Sequence, residues 1–97
     1  MLGLPLSHGE RFTARVQRGN RVQVPVLIRW RHRLDPGEVL DVYLSIVGEF
    51  GSERFYVRLH RDGRFTIPKI VVEKLGIREG SMVEVMLEAS VGSFQKS

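Results

Sequence analysis

RFTARVQRGNRVQVPVLIRWRHRLDPGEVLDVYL, residues 11–44, lies over RFYVRLHRDGRFTIPKIVVEKLGIREGSMVEVML, residues 54–87, at a constant offset of 43 and without a gap. Nine of the 34 pairs are identical: Arg11/Arg54, Phe12/Phe55, Arg15/Arg58, Arg18/Arg61, Arg21/Arg64, Pro25/Pro68, Gly37/Gly80, Val42/Val85 and Leu44/Leu87. Ten of the other 25 exchange one apolar residue for another. A repeat of this period must be read before anything else, because it sets the architecture. Four of the nine identities are arginine, which a core does not require. Something outside the core therefore asks for arginine twice.

Each repeat is too short to stand alone, since chains below roughly 40 residues usually need a staple or a partner. The 97-residue chain has no cysteine, so disulfides and thiolate-zinc staples are excluded. The repeats are expected to shield each other. The expected boundaries are 11–47 for the first repeat, 54–89 for the second and 48–53 for the linker, all in one domain. No apolar run approaches the roughly 18 residues of a membrane span. The start, MLGLPLSHGE, has neither the basic n-region nor the long apolar run of a signal peptide. The expectation is a cytoplasmic protein with no membrane partner.

Within a repeat the residues read as strand, turn, strand, short helix, strand. Phe12, Ala14 and Val16 alternate with Thr13, Arg15 and Gln17, and Phe55, Val57 and Leu59 alternate with Tyr56, Arg58 and His60. Such a period of two marks a half-buried strand. Gly19-Asn20 and Asp62-Gly63 supply the left-handed residues of a tight hairpin turn. The return strands bury Val22 and Val24, or Phe65 and Ile67, and turn Arg21 and Gln23, or Arg64 and Thr66, outward. Pro25 and Pro68 end these strands and begin helices in their first turn. The second helix runs to Leu75 with Gly76 as its left-handed cap, whereas the first, to about Arg33, lacks that glycine. The closing strands bury Leu40, Val42, Leu44 and Ile46, and Val83, Val85, Leu87 and Ala89.

Charge is segregated along this pattern. Residues 11–33 hold seven arginines and no acid, and residues 34–49 hold four acids and no base. Twelve of the fifteen basic residues are arginine, suited to bidentate phosphate and guanine contacts. Each hairpin carries Arg15 and Arg21, or Arg58 and Arg64, outward, with Arg18 or Arg61 at the turn. A two-stranded ribbon so decorated suits the major groove of duplex DNA. The bland reading of the same charges is a polarised, solvated surface.

Other chemistry is poorly supplied. His8, His32 and His60 have no ligand spacing, so no metal or other cofactor is expected. No nucleophile–base–carboxylate grouping and no phosphate loop stands out, so no enzyme is expected. Asp35, Glu38 and Asp41 alternate with apolar residues and read as a solvated outer strand face, a pattern repeated by Glu84 and Glu88.

GRFTIPKIVVEKLGIREGSMVEVML, residues 63–87, closely resembles the signature of the SpoVT-AbrB family. That signature runs G-R-hydrophobic-T-I-P-K-x-x-R-x-x-L-G-I-x-x-G-x-x-V-x-V. It is matched at Gly63, Arg64, Thr66, Ile67, Pro68, Lys69, Leu75, Gly76, Ile77, Gly80, Val83 and Val85. The first repeat is a more diverged copy, keeping Arg21, Val24, Pro25, Arg29, Leu34, Gly37, Val39 and Val42. The resemblance implies a mainly β fold with two short helices: a swapped-hairpin AbrB-like β-barrel built by tandem repeats as a pseudo-dimer. It also implies a DNA-binding role in transcription regulation or chromatin-like packaging, with double-stranded DNA as partner. Carried over by position, the family's DNA-contacting arginines are Arg15, Arg21, Arg29, Arg58 and Arg64; Arg18 and Arg61 join them from the charge pattern. The second helix departs from the signature, with Val72 where arginine is usual. Leu27, Trp30, Ile70 and Val72 then stand as apolar residues on helix surfaces. They offer a contact to the MLGLPL segment, a homo-oligomer interface or fuller core packing. Two further functions compete: a protein-interaction module that has lost DNA binding, and an antitoxin. The latter needs a long C-terminal segment, and only eight residues follow Ala89.

Overall fold

The computed structural model describes residues 9–88. In chain order its elements are β1 (Glu10–Arg15), β2 (Arg21–Gln23), α1 (Val26–Arg31), β3 (Val39–Ile46), β4 (Glu53–Arg58), β5 (Arg64–Thr66), α2 (Lys69–Leu75) and β6 (Met82–Glu88). The strands form a four-stranded antiparallel sheet in the order β1-β6-β3-β4 and a two-stranded sheet of β2 and β5. Among the described residues the two sheets do not close into one barrel.

All four ladders between named strands join one repeat to the other. The first strand of each repeat pairs with the closing strand of the other, and the two return strands pair together. The tight turn read in each repeat therefore joins two strands that find their ladders in the other repeat. Between a repeat's own first and return strands the backbone contact is the bridge Gln17↔Arg21 and its counterpart, His60 N–H to Arg64 O at 2.7 Å. Each return strand, three residues long and stopped by proline, forms its ladder with its copy rather than with its own first strand. Paired with its copy, it sets Val22 opposite Phe65, and both are wholly buried.

The identical glycines complete the exchange. Gly37 N–H donates to Leu59 O at 2.6 Å and Gly80 N–H to Val16 O at 2.7 Å. Both lie at positive φ, 86° and 91°, which side-chain-bearing residues rarely adopt. Leu59 and Val16 return N–H bonds to Glu38 O and Ser81 O. Each repeat's first strand is thus locked onto the other's loop.

The inward faces of both sheets and one side of each helix enclose a single core. Val22, Val24, Val42, Leu44, Phe65, Val83, Val85 and Leu87 have no exposed surface, and the rings of Phe55 and Phe65 meet at 6.2 Å. Ile46, expected inside, is half-buried at the end of β3; Ala89 lies outside the described residues. Pro25 and Pro68 sit one residue ahead of the helices, as their N-caps. Gly76 is the left-handed cap of α2, at φ 70°, as its position predicts. Its equivalent after α1 is Arg33, which adopts φ 53° despite carrying a side chain.

Candidate nucleic-acid interface

The β2–β5 ribbon turns Val22 and Phe65 into the core, so alternation turns Arg21, Gln23, Arg64 and Thr66 to its other side. Register places Arg21 across from Thr66 and Gln23 across from Arg64. Exposed Arg18 and Arg61 occupy the turns at its flanks. Asp62 does not take the left-handed conformation expected of it; that falls to Gly63, at φ 83°. Asp62 accepts the Arg64 N–H at 3.1 Å instead, so the turn is held by its side chain.

The two ends of this ribbon are built differently. At one end Gln23 Nε2 donates to the carbonyls of Asp62 and Gly63, both at 3.2 Å, and its Oε1 accepts from Arg64 Nε at 3.3 Å. Asp62 Oδ2 lies 3.5 Å from the same Arg64 Nε. Arg29 donates from Nε to Val24 O at 3.1 Å and lays its guanidinium across Gly63. A Cβ at Gly63 would lie 2.5 Å from Arg29 Cζ, so a side chain there would displace the guanidinium, and the positive φ itself favours glycine. At the other end Arg21 Nε donates to Arg18 O at 3.1 Å, and His60 Nε2 lies 3.1 Å from Thr66 Oγ1. Asn20 stands where the copy has Gly63, and Val72 where the first repeat has Arg29.

Five of the seven proposed arginines therefore meet on or beside one ribbon: Arg18, Arg21, Arg29, Arg61 and Arg64. Asp62 is the carboxylate in their midst. Arg15 and Arg58 stand apart, at the ends of the two edge strands of the larger sheet. Their Nη1 atoms donate to Gly80 O at 3.0 Å and Gly37 O at 2.8 Å. This gives the Arg15/Arg58 identity a structural cause, because each arginine clamps the glycine loop of the other repeat. Gln23, Thr66 and His60 enter the site without having been singled out. The alternation that turned Gln23 and Thr66 outward was their only signal.

Two other readings change, and one buried contact is new. Asp41 is not a solvated strand residue. It is buried beneath Arg54, which donates to its two oxygens at 3.0 and 2.7 Å and packs against the rings of Tyr43 and Tyr56, 5.4 and 5.7 Å from their centroids. The hydrogen bond to Asp41 raises the Arg54 pKa further above its ordinary value. Val72 is half-buried against the core rather than open on the helix, because it lies on the side of α2 that faces the sheet. Leu27, Trp30 and Ile70 do remain exposed. His32 is buried at the end of α1, with Nε2 2.7 Å from Glu10 Oε2; Arg31 Nη1 donates to the same oxygen at 2.7 Å. These bonds, that of His32 first, hold the Glu10 carboxyl below its usual pKa against the opposing effect of burial.

No group of three or more metal-ligating side chains gathers among the described residues, and no helix there is long and apolar enough to cross a membrane. No family model matches the chain, and no curated protein does. Its fold is similar to the solution structure of PHS018 from Pyrococcus horikoshii, with a TM-score of 0.71 and 25% identity over 79% of this chain and 86% of that one.

Proposed function

We propose that this chain is a non-enzymatic DNA-binding protein whose β2–β5 ribbon enters the major groove of duplex DNA. The observation that carries the reading is the convergence of Arg18, Arg21, Arg29, Arg61 and Arg64 on one exposed ribbon, with the apolar residues of its strands turned away. A two-stranded ribbon has the width of the groove, and arginine suits both phosphate oxygens and guanine edges. The exchange of every ladder between repeats supports the finer reading of the fold as a pseudo-dimeric swapped-hairpin domain of SpoVT-AbrB type. A gene regulator and a chromatin-like packaging protein would both use such a face, and either would associate with the nucleoid.

The test is titration with random duplex at several salt concentrations. If about five arginines meet phosphates, the slope of log affinity against log salt is roughly −4 to −5. A flat salt response, or no binding at low salt, overturns the proposal. A second reading, a protein-interaction module, rests on Leu27 and Trp30, which lie one turn apart on α1 and are 63% and 70% exposed. Light scattering across a concentration series, with and without Trp30→Glu, distinguishes self-association through this face from a monomer.

A further inference from the structure

We infer that the ribbon reads DNA in one direction: base discrimination resides at the Arg64 end, and the Arg21 end anchors the backbone of any sequence. This rests on the DNA-binding reading above. Chain symmetry places an arginine at both ends, but the neighbours of each decide how well it is held. Arg64 Nε is bound by Gln23 Oε1 across the strand pair at 3.3 Å and lies 3.5 Å from Asp62. Gln23 in turn is pinned by the Asp62 and Gly63 carbonyls. With Nε so engaged, the two terminal nitrogens of Arg64 remain as a planar donor pair of fixed orientation. That is the geometry a guanine O6/N7 edge accepts. Gln23, its amide occupied by the backbone, is a positioning residue and does not itself read a base. Arg29, bound to Val24 O and lying over Gly63, brings a second fixed guanidinium to the same end.

Among the described residues nothing equivalent holds Arg21. The residue across from it is Thr66, whose hydroxyl lies beside His60, and Arg21 Nε donates to the Arg18 carbonyl of its own turn at 3.1 Å. Where Arg29 would recur, Val72 packs half-buried against the core. Arg21 is thus tied to its own turn, with no side chain across the strand pair to orient it; an arginine anchored in that way follows phosphates well and discriminates bases poorly. The recognition site is then non-palindromic, with its informative bases on one side.

The experiment is selection of bound sites from a random duplex library with the full chain, followed by titration of variants on the selected site and on random duplex. The wild type is expected to select asymmetric sites. Gln23→Thr, which conserves charge and copies the other strand, should lower the ratio of selected to random affinity by about tenfold or more, the loss of one good bidentate pair. Random-duplex affinity should change less than about threefold, because no phosphate contact is removed. Arg21→Ala should weaken both duplexes alike. The reverse design, Thr66→Gln with Val72→Arg, should shift selection towards palindromes, and it tests the idea independently should Gln23→Thr fail to fold. Symmetric sites from the wild type, or an unchanged ratio in Gln23→Thr, overturn directional reading while leaving DNA binding intact. Absence of any duplex binding removes both.

Discussion

Arg54 and Arg11 occupy equivalent places on the outer face of the four-stranded sheet, each reaching for an acid on the neighbouring repeat. Arg54 makes two short hydrogen bonds to Asp41 between two tyrosine rings, whereas Arg11 approaches Glu84 at 3.7 Å, with both side chains well exposed. The arginine is the same, and so is its place in the register. What differs is that Tyr43 and Tyr56 stand where the other half has Met86 and Thr13. The rings flank the guanidinium, whose side chain stays half exposed, while Asp41 beneath it is buried; a methionine and a threonine offer no such flank. A repeated residue therefore secures a repeated position, and its neighbours decide the quality of the interaction made there. The same contrast separates Arg64 from Arg21 on the ribbon.

The comparison breaks hardest in the core. Val22 and Phe65 face each other, wholly buried, at equivalent positions. Phe65→Ala should cost about 3–5 kcal/mol and Val22→Ala about 2 kcal/mol, from the lost methyls and cavity. Urea unfolding followed by circular dichroism reads both. Equal losses would mean that each half fills the core alike.

The two outer ion pairs come next. Asp41→Asn should lower the urea midpoint several times more than Glu84→Gln, because only Asp41 is buried with its partner's donors aimed at it. Similar shifts from the two would remove the tyrosine flank as the cause of the difference.

The helix ends supply a reciprocal pair. Arg33 and Gly76 both lie in the left-handed region, at φ 53° and 70°. Arg33→Gly should stabilise and Gly76→Ala destabilise, each by about 0.5–1 kcal/mol, because only glycine accepts that conformation without strain. A destabilised Arg33→Gly would mean that the arginine side chain itself holds the end of α1.

The smallest effect depends on pH. Glu10 is held below its ordinary pKa of 4.5, first by its hydrogen bond to His32. A carboxyl depressed on folding stabilises the native state above its unfolded pKa and loses that contribution as pH falls through the lower folded value. Urea midpoints should therefore decline below about pH 4.5, and Glu10→Gln should flatten part of that decline. An identical acid limb in the variant would assign it to other carboxylates.

Strand faces, helix positions and the glycine cap of α2 were legible before any coordinates, because alternation and left-handed turn residues act locally. Arg18, Arg21 and Arg64 were legible for the same reason, being outward or at turns by pattern alone. Asp41 was not, since its alternation with apolar residues is the same whether water or Arg54 covers it. Nor was the second duty of Arg15 and Arg58, which depends on where the Gly37 and Gly80 loops of the opposite repeats arrive. For Val72 the sequence left a surface contact and core packing both open, because a helix this short has too few apolar positions to define its buried side.

By itself, then, the sequence determined that two like units exist, which residues of each point inward, and that both carry arginine on the opposite side. Those properties follow from the period of two along a strand and from the repeat itself. Only the tertiary structure decided whom each strand pairs with, and hence that the two return strands become one ribbon. Backbone N–H and C=O groups are nearly the same at every residue, so a ladder carries no label of its partner until the core closes over Val22 and Phe65. The inequality of the ribbon's ends was settled at that same step, when Gln23 met Arg64 and Arg29 came to lie over Gly63.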